Sequence, residues 1–327
     1  MNSSHVRIKT ASLLVGNVVL AALLLACGSA IAQGRTVRLV VGFPPGAAND
    51  IIARTLAEHM REPLGQTIIV ENRPGAGGQL ALEYVARSAA DGTTLMVGNI
   101  ATHGTLPAIR KLTVDPIGDF TPIAMIGTSP LALAASATLP VRTLADVIAM
   151  AKSRPNGLFF GSAGAGTGSH LAGLLLAKLT GMRLEHVPYA GSAAAYLAVT
   201  SGDVSLLFEA AAVKGLVDSG KVRSIAITGN ERWFILPEVP TFTELGIGPF
   251  PMLSWFGLMG PAGMSAETIA GTEGAVAAAL AKPEMRQALM RIGFTPSRMS
   301  RNAFGQFMRE DLARWRAVVA ENNIKVE

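Results

Sequence analysis

The sequence contains very little cysteine and few aromatic residues. Its 327 residues include one cysteine, Cys27, together with three tryptophans and three tyrosines. Because no cysteine follows Cys27, the rest of the chain can form neither a disulfide nor a thiolate metal site. No run of lysine and arginine alternates with aromatic residues, which argues against a groove that stacks nucleic-acid bases. The fold must therefore be stabilised by its hydrophobic core.

The first 32 residues have the pattern of a secretory signal peptide. Arg7 and Lys9 precede an apolar stretch at residues 11–26, and the small residues Ala30 and Ala32 frame a cleavage site. We expect cleavage after Ala32 and export to the periplasm, which lowers the net charge from +5 to +3. The apolar stretch is short for a membrane span. A lipoprotein acylated at Cys27 is the alternative.

The sequence also lacks the common catalytic motifs. It has no nucleophile elbow G-x-S-x-G, no H-E-x-x-H pair and no phosphate loop of the form G-x-x-x-x-G-K-[ST]. The histidines that follow the leader have no metal-like spacing, and they are His59, His103, His170 and His186. We therefore expect no enzyme, no metal and no cofactor. A serine hydrolase with Ser162 as its nucleophile is the enzymatic alternative.

Two glycine-rich loops are the most informative segments that are present. Residues 43–50 (FPPGAAND) and 161–170 (GSAGAGTGSH) each lie between a strand-like run and a helix-like run. A loop that leads into a helix presents unpaired backbone N–H groups and the positive end of the helix dipole. Each loop therefore suits a carboxylate or phosphate group, and together they predict one anion-binding cleft.

Short apolar runs alternate with helical patterns along the chain. This alternation predicts an α/β fold with mostly parallel sheets, in which the strands are residues 37–43, 67–70, 94–97, 123–126, 131–135, 158–160, 205–208 and 224–228. The first loop is expected to lead into a helix capped by Asn49 and Asp50, with Ile51 and Ile52 on its apolar face. The helix after the second loop is expected to stop at Gly181.

Two connecting stretches, residues 120–130 and 228–240, are the expected crossings between two lobes. Lobe 1 would then comprise residues 33–127 and 229–327, and lobe 2 residues 128–228.

Several ordered segments resemble the tripartite tricarboxylate transporter solute-binding family, also called Bug receptors. The matching segments are residues 38–46 (RLVVGFPPG), 50 (D) with 53–54 (AR), 70–78 (VENRPGAGG), 91–92 (DG), 119–120 (DF), 166–167 (GT) with 170–171 (HL), 186–192 (HVPYAGS), 240–241 (PT), 255–258 (WFGL) and 261–263 (PAG). The resemblance implies a periplasmic binding protein of the two-lobed, Venus-flytrap, type II-like kind. Such a receptor captures a small carboxylate between its lobes for membrane transporter subunits, without a cofactor, and we expect it to be a monomer.

This chain departs from the family pattern at two positions. Ala47 stands where a second glycine is usual, and its methyl group would disfavour a positive φ. Glu209 stands where an aspartate is frequent, so the ligand of aspartate-bearing relatives cannot be transferred to this chain.

The cleft prediction leads to a set of candidate ligand-binding residues. They are Phe43, Pro45, Gly46, Ala47, Asn49, Asp50, Thr102, His103, Ser162, Gly164, Gly166, Thr167, His170, Tyr189, Gly191, Ser192 and Glu209.

Several of these candidates have a structural alternative. Asp50 is expected to act as a cap or loop clamp, His170 could bond the loop backbone instead of a ligand, and Lys214 could pair with Glu209. Thr102 and His103 could lie in a solvated loop. Tyr189 could pack as a rim aromatic, while Asn72 and Arg73 are expected to support the loop.

A sensory receptor that signals to a membrane kinase needs the same ligand-gated closure as a transport receptor. The residues do not distinguish these two roles; neighbouring genes would. The identity of the carboxylate depends on side chains that are far apart in sequence, so the sequence alone does not identify the ligand.

Overall fold

Helices and strands alternate along the chain in the computed structural model. The structure describes residues 35–210, 213–250, 252–321 and 323–324. The predicted signal peptide, its cleavage site and Cys27 lie outside these residues. The described residues from Val37 onwards form one compact unit, and it contains the contacts that follow.

The elements follow one another in the order β1 (Thr36–Val41), α1 (Ala48–Leu64), β2 (Thr67–Asn72), a 3₁₀ turn (Ala76–Gly78), α2 (Gln79–Ala86), β3 (Thr94–Asn99), a π-helical segment (Ala101–Thr105), α3 (Leu106–Ile109), β4 (Phe120–Pro130), β5 (Ala132–Ser136), α4 (Leu144–Ser153), β6 (Leu158–Ser162), α5 (Gly168–Thr180), β7 (Leu184–Pro188), α6 (Ser192–Ser201), β8 (Leu206–Glu209), α7 (Val213–Asp218), β9 (Val222–Ile227), β10 (Leu253–Pro261), α8 (Ala266–Ala281), α9 (Pro283–Arg291), β11 (Thr295–Pro296) and α10 (Arg301–Glu321).

The strands form two sheets. The first has the order β11-β4-β10-β3-β1-β2, and the second has the order β7-β6-β8-β5-β9. The second sheet is built from one continuous stretch of chain, whereas the first is built from the stretches before and after it. Each run predicted as a strand overlaps one of these strands, and the predicted run 37–43 extends two residues beyond β1. The predicted α/β class is therefore confirmed.

The prediction of mostly parallel sheets is wrong. β1 pairs with β3 in parallel, and β6 pairs in parallel with β7 and β8. However, β10 is antiparallel to β3 and β4, and β5 is antiparallel to β8 and β9. Only Leu131 separates β4 from β5. The chain therefore passes directly from the first sheet into the second, without a crossover helix. Consecutive parallel strands need such a crossover connection, whereas antiparallel strands do not.

Helix α1 differs from its prediction at the N-terminus. Its N-cap is Ala47, in an extended conformation, and not Asn49 or Asp50. The predicted apolar face is confirmed at Ile52, which is buried, but is wrong at Ile51, which is 40% exposed. The predicted stop of α5 is confirmed, because Gly181 adopts the left-handed conformation there with φ of 63°.

Buried apolar residues hold helices against both sheets. β3 is buried along its whole length, and the indole N–H of Trp255 in β10 donates to Asp311 of α10 at 2.9 Å. Within the described part of the chain, none of the helices combines the length and the apolar character that a bilayer span requires. The carboxyl ends of β1, β6 and β7 lead into α1, α5 and α6, whose first residues line the candidate site.

Candidate functional site

A small cavity of about 60 Å³ lies where segments of both sheets meet. It has room for a few water-sized groups. The residues that line it are Phe43, Ala47, Ala48, Asn49, Asn99, Ile100, Ala101, Leu131, Ala163, Thr167, Gly168, Ser169, Ser192, Glu209, Ala210, Ser254, Phe256 and Phe294. The lining therefore includes the first residues of α1, α5 and α6.

These three helices begin at the cavity without a side-chain cap. The N-cap residues of α1, α5 and α6 make no side-chain hydrogen bond to the first turn of their helix. Elsewhere, Thr143 caps α4 and Ser265 caps α8, whereas α2, α3 and α9 also begin without a side-chain cap. An uncapped first turn leaves backbone N–H groups without an internal acceptor. Three such turns around one cavity form a site that suits an anion.

Asp50 clamps the first loop and does not line the cavity. Its carboxylate accepts hydrogen bonds from the Gly46 N–H, Arg54 Nε and Asn72 Nδ2, each at 2.9 Å. Burial opposes ionisation, but these donors outweigh it and hold the pKa of Asp50 below its usual value. The Asn72 amide also donates to the Phe43 carbonyl at 3.0 Å. The loop-clamp interpretation of Asp50 and the supporting role of Asn72 are therefore confirmed.

The backbone of the first loop leads directly into α1. Gly46 adopts φ of 81°, which favours glycine, whereas Ala47 has φ of −70° and ψ of 162°. The methyl group of Ala47 therefore causes no backbone strain. The Asn49 side chain is 5% exposed, and its Nδ2 has no hydrogen-bond partner among the described residues. A buried donor without a partner is costly, so Nδ2 is available for a ligand acceptor.

Side chains of the second loop bond to the loop itself. The Thr167 hydroxyl donates to the Gly164 carbonyl at 2.6 Å, and the Ser169 hydroxyl accepts from the Ala163 N–H at 3.1 Å. His170 Nδ1 accepts from the Gly166 N–H at 3.1 Å, as the backbone-bonding alternative predicts. These bonds fix the loop and leave the first N–H groups of α5 free at the cavity.

His170 stacks on His186, whose ring bonds Ser162. The two imidazole rings are 3.8 Å apart, and burial followed by the neighbouring His186 lowers the pKa of His170 to about 3. The Ser162 hydroxyl lies 2.6 Å from His186 Nε2, and burial lowers the pKa of His186 to about 4. Ser162 is fully buried and lines no part of the cavity. This serine–histidine pair therefore lies apart from the candidate site.

The carboxyl end of β3 supplies Asn99 to the cavity. Asn99 Oδ1 accepts from the Thr102 N–H at 3.1 Å, and the Thr102 hydroxyl lies 2.8 Å from His103 Nδ1. Thr102 and His103 are buried in the π-helical segment behind Asn99. Burial lowers the pKa of His103 to about 3. The alternative of a solvated loop at these residues is therefore wrong.

Glu209 ends β8 and is the ionisable side chain in the described lining. Its Oε1 accepts from the Ser192 hydroxyl at 2.8 Å, and its Oε2 accepts from the Ala210 N–H at 3.2 Å. Burial raises the pKa of Glu209 to about 7, although these donors oppose the shift. Lys214 bonds Asp218 at 2.5 Å. The alternative that Lys214 neutralises Glu209 is therefore wrong.

A groove of about 300 Å³ adjoins the cavity at Phe43 and Ala163. Its walls come from the two glycine-rich loops, from residues 74–78 and from residues 189–191. A Cβ on Gly77 would lie 2.8 Å from the Ala165 carbonyl oxygen, so only glycine permits this approach. The buried Thr105 hydroxyl donates to the Gly166 carbonyl at 2.6 Å. Residues preceding β4 thus contact the loop between β6 and α5.

The structure divides the predicted site residues into three groups. At the cavity lie Phe43, Ala47, Asn49, Thr167, Ser192 and Glu209. At the adjoining groove lie Phe43, Gly164, Tyr189 and Gly191. Neither lining includes Pro45, Gly46, Asp50, Thr102, His103, Ser162, Gly166 or His170.

The cavity lining also contains residues that the sequence patterns did not predict. They are Ala48, Asn99, Ile100, Ala101, Leu131, Ala163, Gly168, Ser169, Ala210, Ser254, Phe256 and Phe294. The glycine-rich pattern signalled Ala163, Gly168 and Ser169, whereas Ser254 and Phe294 come from distant segments without a motif.

A family model described as "Tripartite tricarboxylate transporter family receptor" matches residues 52–324. The chain is also 32% identical to Protein BugT of Bordetella pertussis over 296 residues, which cover 90% of this chain and 91% of that protein.

Two solved structures have a similar fold. MatC from Rhodopseudomonas palustris with bound malate is 34% identical, with a TM-score of 0.83 over 87% of this chain and 99% of that one. A second R. palustris protein, with adipate, is 34% identical, with a TM-score of 0.85 over 89% of this chain and 98% of that one. The predicted two-lobed binding-protein fold is confirmed by this similarity.

Proposed function

Because this chain belongs to the tripartite tricarboxylate transporter receptor family, we propose that it is a periplasmic receptor for a small carboxylated solute. The observation that carries this proposal is the meeting of three uncapped helix N-termini at one cavity. Relatives with bound malate and adipate support a carboxylate as the ligand.

The proposed site binds the ligand carboxylate through backbone N–H groups. Ala48 in α1 and Gly168 in α5 stand at the first helical positions, so their N–H groups have no acceptor within the helix. Hydrogen bonds to a charged group contribute about 1.5–3 kcal/mol each, and each helix dipole adds a favourable field at its N-terminus. The lining has no lysine or arginine among its described residues, so these backbone groups would supply the attraction.

Ligand binding is proposed to close two lobes over the cavity. We assign residues 33–127 and 229–327 to lobe 1 and residues 128–228 to lobe 2. Under this assignment, the hydrogen bond from Thr105 to the Gly166 carbonyl joins the lobes beside the ligand. Closure would then present a distinct surface to membrane transporter subunits.

The mature protein is proposed to begin at Gln33 after export and to act as a monomer. A lipid anchor at Cys27 is the alternative mode of export. Mass spectrometry of the protein from both the soluble periplasmic fraction and the membrane fraction separates the two, because an acylated Cys27 would be the N-terminus of a membrane-bound form.

A catalytic role is not proposed for the Ser162–His186 pair. No carboxylate of the described residues hydrogen-bonds the His186 ring to orient it as a base, and Ser162 is fully buried. A fluorophosphonate probe tests this directly: we expect no labelling of Ser162, and covalent labelling lost in Ser162→Ala would favour a hydrolase.

The proposed function is tested by a thermal-shift screen of the mature protein with mono-, di- and tricarboxylates. Each acid is paired with its amide, which has the same shape and no negative charge. A ligand that binds the native state raises the melting temperature by mass action. We expect saturable stabilisation by a carboxylate that is absent for its amide. Stabilisation by neutral or cationic compounds alone would contradict the proposal.

A further inference from the structure

The cavity contains an acidic side chain beside groups that favour an anion. Glu209 is 7% exposed and lies at the carboxyl end of β8, between β6 and β5 of the second sheet. Among the described residues that line the cavity, it is the one that can carry a charge. A buried carboxylate is costly unless a cation or several donors compensate for it.

Burial raises the pKa of Glu209 to about 7, and the groups around it oppose this shift because they favour its ionised form. The Ala210 N–H can only donate, and it lies 3.2 Å from Oε2. The Tyr196 hydroxyl lies 3.4 Å from Oε2 and stays protonated, because burial and the nearby Glu209 raise its pKa well above 10. The Ser192 hydroxyl donates to Oε1 at 2.8 Å. Oε1 has this single donor and therefore retains an acceptor site.

No protein cation neutralises this carboxylate among the described contacts. Each of its hydrogen-bond partners is uncharged, and the nearest lysine in sequence, Lys214, bonds Asp218. A ligand that brought only negative charge into so small a cavity would face the Glu209 charge at short range, where low polarity strengthens repulsion. A ligand that itself carries a positive charge avoids both this repulsion and the proton uptake by Glu209 that would otherwise relieve it.

We propose that the cavity binds a small carboxylate that also carries a protonated amine, with the ammonium bonded to Glu209 Oε1 and the carboxylate facing the first N–H groups of α1 and α5. This inference rests on the proposed function and narrows its ligand class. An ammonium group offers three donors and no acceptor, which matches the acceptor left on Oε1. The ammonium group of such a ligand then faces the Glu209 carboxylate, and its carboxylate faces the backbone N–H groups at the helix N-termini.

Two series of acids with fixed carbon skeletons test the amine requirement. Propionate, lactate and alanine differ at one carbon by hydrogen, hydroxyl or ammonium, and succinate, malate and aspartate differ in the same way. Calorimetric titration of the mature protein measures all six. We expect the amine-bearing member of at least one series to bind at least tenfold tighter than its hydrogen-bearing counterpart. Equal or weaker binding of both amines would overturn the inference.

Glu209→Gln is the matched variant, because the amide keeps the size of the side chain and removes its charge. In this variant we expect the ratio of the affinities for the amine-bearing and the hydrogen-bearing acid to fall tenfold or more, while the hydrogen-bearing acids still bind. Tyr196→Phe is the control, since it removes only the long 3.4 Å contact and should keep the preference. Retention of the amine preference in Glu209→Gln would overturn the inference.

The two proposals fail in different ways. If carboxylates bind and are distinguished from their amides, but binding is tightest for acids without an amine, the receptor function stands and the amine inference is wrong. Proton uptake by Glu209 on binding of such an acid would be the physical reason, and it would appear as a dependence of the measured enthalpy on the buffer. If no acid in either series binds and no carboxylate raises the melting temperature, both proposals are wrong.

Discussion

Replacing Thr105 by valine should weaken ligand binding without direct contact with the ligand. The Thr105 side chain is fully buried, and its hydroxyl donates to the Gly166 carbonyl at 2.6 Å. Valine has nearly the same shape but cannot donate. The substitution therefore removes one bond between the segment before β4 and the second glycine-rich loop, and it leaves a buried carbonyl without this partner.

The magnitude follows from the cost of an unsatisfied buried group, which is about 1–3 kcal/mol. If the bond exists in the closed form and not in the open form, the whole cost falls on closure. Since 1.4 kcal/mol corresponds to a factor of ten in affinity, Thr105→Val should weaken binding about 5- to 150-fold. The intrinsic contacts of the ligand would be unchanged, and only the fraction of competent protein would fall.

Calorimetric titration with a carboxylate hit measures this loss, and small-angle X-ray scattering reports whether the unliganded variant becomes more open. Thr121→Val is the matched control, because the Thr121 hydroxyl donates to the Pro261 carbonyl at 3.0 Å within the first sheet. It should alter the melting temperature but not the affinity. Equal affinities of wild type and Thr105→Val would refute the role of this bond in closure.

Three further predictions follow from the contacts around the site. Asp50→Asn should lower the free energy of unfolding by about 1–3 kcal/mol, because the amide cannot accept all three donors of the first loop; unchanged stability in chemical denaturation would contradict the clamp. Gly77→Ala should weaken binding at least tenfold, since its Cβ would lie 2.8 Å from the Ala165 carbonyl oxygen at φ of 67°; titration against wild type measures this loss, and equal affinity would refute it. Burial lowers the pKa of His103 and His170 to about 3, so near pH 5 the unfolded chain binds protons that the native state does not. Stability should therefore decrease as the pH falls from about 6.5 towards 4, although Glu209, whose pKa burial raises, opposes this trend with one proton. A melting temperature that rises over that pH range would contradict this prediction.

The sequence predicted the elements whose pattern is local. Apolar runs of strand length located the strands, and a glycine at the end of an amphipathic run located the end of α5 at Gly181. The two glycine-rich loops were identified because a glycine-rich turn before an apolar helix is a signal within a dozen residues. Several lining residues, including Ala47 and Thr167, belong to these loops.

Features that depend on long-range contacts were not predictable in the same way. The antiparallel strands β5 and β10 follow from the passage of the chain between two sheets, which strand-helix alternation does not reveal. Phe294 enters the lining from a segment with no motif. Asp50 looked like a ligand candidate by its place in the loop, but Arg54 and Asn72 bind its carboxylate. Such competition between partners is decided by tertiary structure.

The central claim, that backbone N–H groups at helix N-termini hold the ligand carboxylate, is tested most directly at Gly168. This residue is the first of α5, and Thr167 before it is extended with ψ of 163°, so proline fits there without breaking the helix. Gly168→Pro removes the N–H, whereas the control Gly168→Ala keeps it, and a Cβ at this position meets only ordinary contacts at 3.4 Å and beyond. Calorimetric titration with a carboxylate should show binding about 10- to 100-fold weaker for the proline variant than for the alanine variant, at similar melting temperatures of the unliganded proteins. Equal affinities of the two variants would contradict the account.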